Sequence, residues 1–325
     1  MKKFLRILGI LVLSLLIILL VLIAYIKIAL PNVGPAPDIK VEYSDARLAR
    51  GKYLANHVMV CMDCHSKRDP SLFSMPMDES SRGGGGQRFD QGEGFPGIFY
   101  SANITPFGIG SWTDGEIYRA ITTGVRKNGK PIFPVMPYHN FGYANPEDVN
   151  SLIVYLRSLQ PKENLVPESA ADFPMSILLN TIPQKAKPLA IPVPSDSLAY
   201  GHYLCIIASC HDCHTPFDKG QFDDSYAMAG GRSFPVPGGT VTSVNLTPDK
   251  ETGLGTWTRD MFVQRFASYR DSAMAHQVVS PGQLQSIMPW TMYGLMTDAD
   301  LASIYTYIRS LQPIKHNTAK FIASK

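Results

Sequence analysis

No feature of this 325-residue chain constrains its fold more than a five-residue run that occurs twice, as Cys61-Met62-Asp63-Cys64-His65 and as Cys210-His211-Asp212-Cys213-His214. C-x-x-C-H is the attachment signature of a c-type haem, in which two thiols bond to the porphyrin vinyl groups and the adjacent His becomes an axial ligand of the iron. Two intervening residues let one turn of chain reach both vinyls, and the following imidazole then points at the metal. With five Cys and eight His in the chain, chance would supply about 0.002 such runs. Cys61, Cys64, Cys210 and Cys213 are therefore expected to hold two covalent haems c, with His65 and His214 as iron ligands.

Two other readings of paired cysteines fit less well. Zinc knuckles place their pairs within a few tens of residues, whereas 149 positions separate Cys61 from Cys210. A thioredoxin-like redox pair needs a βαβ setting, and the flanks here read as helix and Pro/Gly loop.

The chain opens with a basic stretch containing Lys2, Lys3 and Arg6, and Ile7 to Ile26 then runs 20 residues without a charge. At 1.5 Å per residue that covers about 30 Å, the thickness of a bilayer core. A cleaved signal peptide has a shorter apolar region followed by small residues, and Ala24-Tyr25-Ile26-Lys27 is bulky. An uncleaved single-pass anchor (1–30) is expected. The positive-inside rule then leaves the N-terminus in the cytoplasm and the rest outside, the side on which haem c is attached. The three leading cations equal the whole formal net charge of +3, so the remainder is balanced and carries no basic stripe for nucleic acid. Residues 31–43, with Pro31, Gly34, Pro35 and Pro37, read as an extended spacer.

From residue 44 the sequence repeats one plan. Arg50-Gly51-Lys52-Tyr53-Leu54 matches Tyr200-Gly201-His202-Tyr203-Leu204, and Asn103-Ile104-Thr105-Pro106 matches Asn245-Leu246-Thr247-Pro248. Gly108 to Thr113 matches Gly253 to Thr258, Met136-Pro137-Tyr138 matches Met288-Pro289-Trp290, and Tyr155 to Pro161 matches Tyr307 to Pro313. All matches keep chain order, which predicts two homologous domains over 44–160 and 196–315. Each reads as mainly α, with helices joined by long loops. A first helix (44–60, 196–209) enters the haem motif. A middle helix starts at Thr113, with Glu116 completing a capping box, or at Thr258. A last helix starts at Asn145-Pro146 or Thr297. Val149, Leu152, Ile153 and Leu156, mirrored by Leu301, Ile304, Tyr305 and Ile308, form the buried stripe of that last helix. Gly51 and Gly201 are expected to let the first helix approach the last, with Tyr155 and Tyr307 filling the crossing.

The Pro-rich linker 161–195 cannot form a long helix, and its apolar run Met175 to Leu179 predicts that it lies across both domains. Gly83 to Gly86 reads as a flexible surface loop without the context of a phosphate loop.

The sixth iron ligand sets potential and reactivity. Met136 stands before Pro137, which biases it toward the extended backbone of a residue reaching into a crevice; a thioether ligand favours reduced iron. In the second copy Met261, Met274, Met288, Met292 and Met296 compete. The repeat alignment selects Met288, with Met292 next, and His139 and His276 are the candidates for bis-His ligation. Cys205 reads as a buried small residue.

Taken together, these residues resemble the class I cytochrome c superfamily, and in particular the multi-haem cytochrome subunits that accompany membrane-bound, quinone-linked alcohol and gluconate dehydrogenases. The resemblance rests on the haem motif, Asn-Ile-Thr-Pro, Gly-Ile-Gly-x-Trp, Met-Pro-Tyr and Tyr-Leu-Arg-Ser-Leu in this order, over 44–160 and 198–313. It implies two tandem cytochrome c-like helical domains, His65/Met136 and His214/Met288 ligation, and transfer of single electrons. Those subunits usually carry three haems; this chain has two motifs and an N-terminal anchor. The expectation is a non-enzymatic diheme carrier on the periplasmic side of a bacterial inner membrane. Its partners would be redox proteins such as a dehydrogenase, a quinol-linked complex, an oxidase or a small cytochrome. The alternative is a diheme enzyme such as a peroxidase, which needs one iron with an open position.

Overall fold

The computed structural model describes residues 1–280 and 282–324. It is 44% helical. One helix, Lys2–Ala29, is long and apolar enough to cross a membrane, and none of its residues is buried; an N-terminal signal sequence has the same character.

The remaining helices start where their caps dictate. Ser44 accepts from the Arg47 amide and opens Asp45–Tyr53. That helix widens into a π-helical turn, Leu54–Val58, and the left-handed Val60 (φ 44°) delivers the chain into Cys61–Cys64. In the second half Asp196 caps Ser197–Ile207, and the left-handed Ser209 (φ 57°) precedes Cys210–His214. Thr113 and Glu116 form the full capping box of Asp114–Thr123, and Thr258 caps Arg259–Ala267. Asn145 and Thr297 cap the last helices, Pro146–Ser158 and Asp298–Ser310.

Val149, Leu152, Ile153 and Leu156 are buried, as are Leu301, Ile304 and Ile308; each contributes about 1.5–3 kcal/mol by leaving water. Tyr305, on the same face, is half-buried and its hydroxyl donates to the Trp257 carbonyl (2.7 Å). The first and last helices of each half meet backbone to backbone. A Cβ at Gly51 would overlap the Ser151 carbonyl, and one at Gly201 would overlap the Ser303 carbonyl. Tyr155 is buried at the first crossing, where its hydroxyl accepts from the Asn56 amide (3.0 Å). Its counterpart Tyr307 is half-buried and stacks on His202 with centroids 4.7 Å apart.

The two halves face each other through a reciprocal pair of hydrogen bonds. The Tyr53 hydroxyl donates to Asp300 Oδ2 (2.6 Å) and accepts from the Thr297 amide (3.1 Å). The Tyr203 hydroxyl donates to Asp148 Oδ2 (2.6 Å) and accepts from the Asn145 amide (3.0 Å). Tyr53 and Tyr203 are repeat equivalents, as are Asp148 and Asp300, so the interface is an approximate two-fold.

Three features differ from expectation. Short antiparallel sheets appear: Gly97–Tyr100 pairs with Arg88–Phe89 and with Ala170–Ala171 of the linker, and Ser233–Val236 pairs with Gly239–Thr242, which also pairs with Phe321–Ala323. Strands of two to four residues are too short to show an alternating pattern. Gly83 to Gly85 are buried, not a surface loop. The Gly85 amide donates to the His65 carbonyl (2.8 Å), and a Cβ at Gly85, where φ is +68°, would strike the Ala102 backbone. The linker is hydrogen-bonded along the first half: the Lys187 and Leu189 amides donate to the Gly142 and Tyr143 carbonyls. Its run Met175 to Leu179 meets the end of the N-terminal helix, where Lys27 Nζ donates to the Ser176 carbonyl (2.7 Å).

Because both crossings leave no room for a methyl group, Gly51→Ala and Gly201→Ala should each destabilise the protein by about 1–3 kcal/mol or more. Urea denaturation followed by far-ultraviolet circular dichroism measures this. Unchanged midpoints would show that the helices can separate at no cost.

Candidate cofactor sites

Each C-x-x-C-H run forms a single helical turn at the end of a first helix, so its thiols and imidazole are presented from a backbone already fixed by a glycine crossing. No cysteine among the described residues is in a disulfide. No three His, Cys, Asp or Glu side chains among them are grouped to hold an ion.

The histidines are aimed from behind. His65 Nδ1 lies 2.7 Å from the Ala102 carbonyl oxygen, and His214 Nδ1 lies 2.8 Å from that of Val244. A carbonyl only accepts, so Nδ1 carries the proton and the Nε2 lone pair faces outward, as a metal-binding imidazole requires. Burial lowers the pKa of both rings, against the opposing pull of these carbonyls, which keeps them neutral.

The repeated Asn-x-Thr-Pro motif explains how the carbonyl is placed. Asn103 Oδ1 accepts from the amide (3.0 Å) and hydroxyl (2.7 Å) of Thr105, and Asn245 Oδ1 accepts from those of Thr247 (2.9 and 2.8 Å). The resulting turn fixes the residue before each Asn, which is Ala102 or Val244. The Arg in the last helix performs a related service. Arg157 donates to the Ile109 carbonyl (3.1 Å) and Arg309 to that of Gly255 (2.9 Å), tying each Gly-x-Gly-x-Trp loop to the core.

In the second half Cys210, Cys213, His214 and Met288 line one cavity of about 190 Å³, walled by Phe262, Phe266, Leu301, Ile304 and Ile308. Met296 also lines it. Met292 is buried, and its carbonyl lies 3.3 Å from His57 Nδ1 at the interface between halves. In the first half Met136 is partly buried against the core. Met136 and Met288 share one backbone setting: the Tyr138 amide donates to the Met136 carbonyl and the Trp290 amide to the Met288 carbonyl, both at 2.8 Å. His139 Nε2 is 2.8 Å from Asp212 Oδ2, inside the other half's motif, and the exposed His276 bonds within its own helix. Cys205 is buried; a hydrogen bond with the Cys210 thiol and its burial hold its own thiol well above the ordinary pKa.

A haem fits these residues. The second-half cavity has two cysteines, a histidine and a methionine set in an otherwise largely apolar lining. The Ser209 hydroxyl, which lines the same cavity, is buried without a hydrogen-bond partner among the described residues.

Sequence reasoning missed the loop that steadies Met288. Residues 70–74 of the first half reach across to the second, and Ser74, 1% exposed with φ at 70°, docks there. Its hydroxyl donates to the Met288 carbonyl (2.5 Å) and accepts from the Trp290 amide (3.0 Å), and its amide donates to Gln285 Oε1 (2.8 Å). Gln285, fully buried, donates in turn to the Pro70 and Leu72 carbonyls. Only the absence of a hydrophobic role for a buried Gln hinted at this, and burial is not visible in sequence.

The relatives of this chain are cytochrome c subunits of quinone-linked alcohol, gluconate and fructose dehydrogenases and a diheme cytochrome c. It is 29% identical over 236 residues to the cytochrome c subunit of the quinone alcohol dehydrogenase of Gluconacetobacter polyoxogenes, covering 67% of this chain and 49% of that subunit. It is 29% identical over 289 residues to the gluconate 2-dehydrogenase cytochrome c subunit of Pantoea cypripedii, covering 82% of this chain and 60% of the relative. To a diheme cytochrome c-type protein of Cereibacter sphaeroides it is 27% identical over 266 residues, covering 78% and 83%. The chain thus spans about half the length of the alcohol dehydrogenase subunit. No protein-family model matches it. Relatives of this kind imply haem c as the cofactor.

Ser74→Ala should cost about 0.5–1.5 kcal/mol, because it removes the serine's bonds to the Met288 carbonyl and from the Trp290 amide, which then keep only each other. Equilibrium denaturation of the purified protein reads this directly. A stability equal to that of the parent would mean that water takes over the serine's role.

Proposed function

We propose that the chain is a membrane-anchored diheme c-type cytochrome that passes single electrons between redox proteins. It would comprise two cytochrome c-like domains, 44–160 and 196–315. The observation that carries this reading is the matched pair of C-x-x-C-H turns, each with its histidine tied through Nδ1 to a backbone carbonyl. When bound at such sites, haem iron supplies a one-electron couple.

The chain's own residues would do the rest. Cys61 and Cys64, and Cys210 and Cys213, form the thioether anchors. His65 and His214 present neutral Nε2 atoms. Met136 and Met288 would serve as the second protein ligands of the two irons, leaving neither open to substrate. Phe262, Phe266 and Leu301 exclude water around the second site, which lowers the rearrangement that accompanies a change of charge. The reciprocal tyrosine–aspartate bonds hold the two halves in one orientation. Burial and the aspartate partner raise the Tyr53 phenol above its ordinary pKa, as burial and Asp148 do for Tyr203, so both hydroxyls stay donors at neutral pH. The N-terminal helix would hold the soluble part at the periplasmic face of the inner membrane. The names of the relatives support a membrane dehydrogenase as electron donor; a quinol-linked complex, an oxidase or a small cytochrome are the further partners of the reading.

A carrier with both irons closed by methionine should exchange electrons rapidly with small redox proteins and show negligible peroxide turnover. Met136→Ala should gain turnover and lose about half of the weak near-infrared band of methionine-to-ferric-iron coordination. Rapid, saturable peroxide reduction by the parent protein would contradict the carrier reading and favour a diheme peroxidase.

A further inference from the structure

We propose that linker residues 172–182 form a membrane foot that sets Phe173 and Leu178 into the interfacial layer of the bilayer crossed by the N-terminal helix. This rests on the reading of that helix as an anchor. Two hydrogen bonds fix the depth of the segment. Lys27 Nζ donates to the Ser176 carbonyl (2.7 Å), and Asn180 Nδ2 donates to the Ile26 carbonyl (3.1 Å). Ile26 is the last residue of the uncharged run and Lys27 the first charge after it, so the short helix Met175–Leu178 sits where hydrocarbon gives way to headgroups.

At that level the segment shows apolar side chains outward. Phe173 is 81% exposed and Leu178 is 45% exposed, beside Tyr25 at 58%. In water these groups gain nothing. At a bilayer interface an aromatic and a leucine next to a lysine are favoured, the lysine reaching back to the polar layer. The foot is also rigidly joined to the first half. Ala170–Ala171 pairs with Gly97 and Ile98, the Asp172 amide donates to the Pro96 carbonyl (2.9 Å), and the Ser176 amide donates to that of Asp172 (2.8 Å). Insertion of the foot would therefore fix the tilt of the first half against the membrane, which a helix followed by a Pro-rich spacer cannot do. Lipid is the occupant argued for because the patch continues the surface of the anchor at the depth the anchor dictates.

The test uses the full-length, haem-loaded chain in phosphatidylcholine vesicles, with p-benzoylphenylalanine placed singly at Phe173, Leu178, Ile18 or the exposed turn residue Lys219. After irradiation, mass spectrometry counts lipid adducts. Adducts at Phe173 and Leu178 several-fold above Lys219, alongside adducts at Ile18, are expected. Adducts at Ile18 with none above the Lys219 level at Phe173 and Leu178 would overturn the foot and leave the anchor standing. No adduct at Ile18 would overturn the anchor, and the foot with it. Crosslinking of Phe173 to another polypeptide in native membranes, in place of lipid, would also overturn it.

Discussion

The close approach of first and last helices, Gly51 against Ser151 and Gly201 against Ser303, is the constraint on which the rest of the soluble structure depends. Each first helix runs directly into a C-x-x-C-H turn, so the crossing point fixes where the thiols and imidazole stand. Each last helix carries the arginine that ties down the Gly-x-Gly-x-Trp loop and begins with the aspartate that binds the other half. A methyl group at either glycine would push apart elements that position the motif, the loop and the interface together.

Although the plan is duplicated, the halves are not equivalent. Asp148 accepts a bidentate pair of bonds from Arg50 (2.8 and 3.0 Å) as well as the tyrosine bond. The residue aligned with Arg50 is Tyr200, so Asp300 has no matching arginine. The second half instead receives the 70–74 loop, through Ser74 at Met288 and through its own Gln285, while the first half receives the linker, which in turn binds the end of the N-terminal helix. One half is thus braced by the linker and the N-terminal helix and the other by its neighbour. A change in the 70–74 loop of the first half would be felt at the methionine loop of the second, because packed, fully hydrogen-bonded contacts transmit displacement where a flexible joint would not.

Much of this was legible in the sequence because its signals are local. Caps at Thr113, Asn145, Thr258 and Thr297 act within one turn, the stripe from Val149 to Leu156 repeats with the helix, and the C-x-x-C-H run is contiguous. What escaped depends on residues far apart in the chain. Ser74 meets Gln285 across 211 positions, and Tyr53 meets Asp300 across 247. Nothing near either serine or tyrosine announces its partner. Asp148 and Asp300 read as ordinary acids in a helix's first turn, although their equivalence within the repeat could have marked them as an interface pair. A glycine run reads the same whether it is loose or, as at Gly85, bonded to the His65 carbonyl where a Cβ would strike the Ala102 backbone.

The claim that both C-x-x-C-H turns carry a covalent haem is tested most directly by the mass of the intact purified chain, compared with Cys61→Ala/Cys64→Ala and Cys210→Ala/Cys213→Ala variants. The account predicts a mass equal to the polypeptide plus two haems, falling by one haem in each double variant. A parent chain carrying a single haem, or a double variant that loses none, would contradict it.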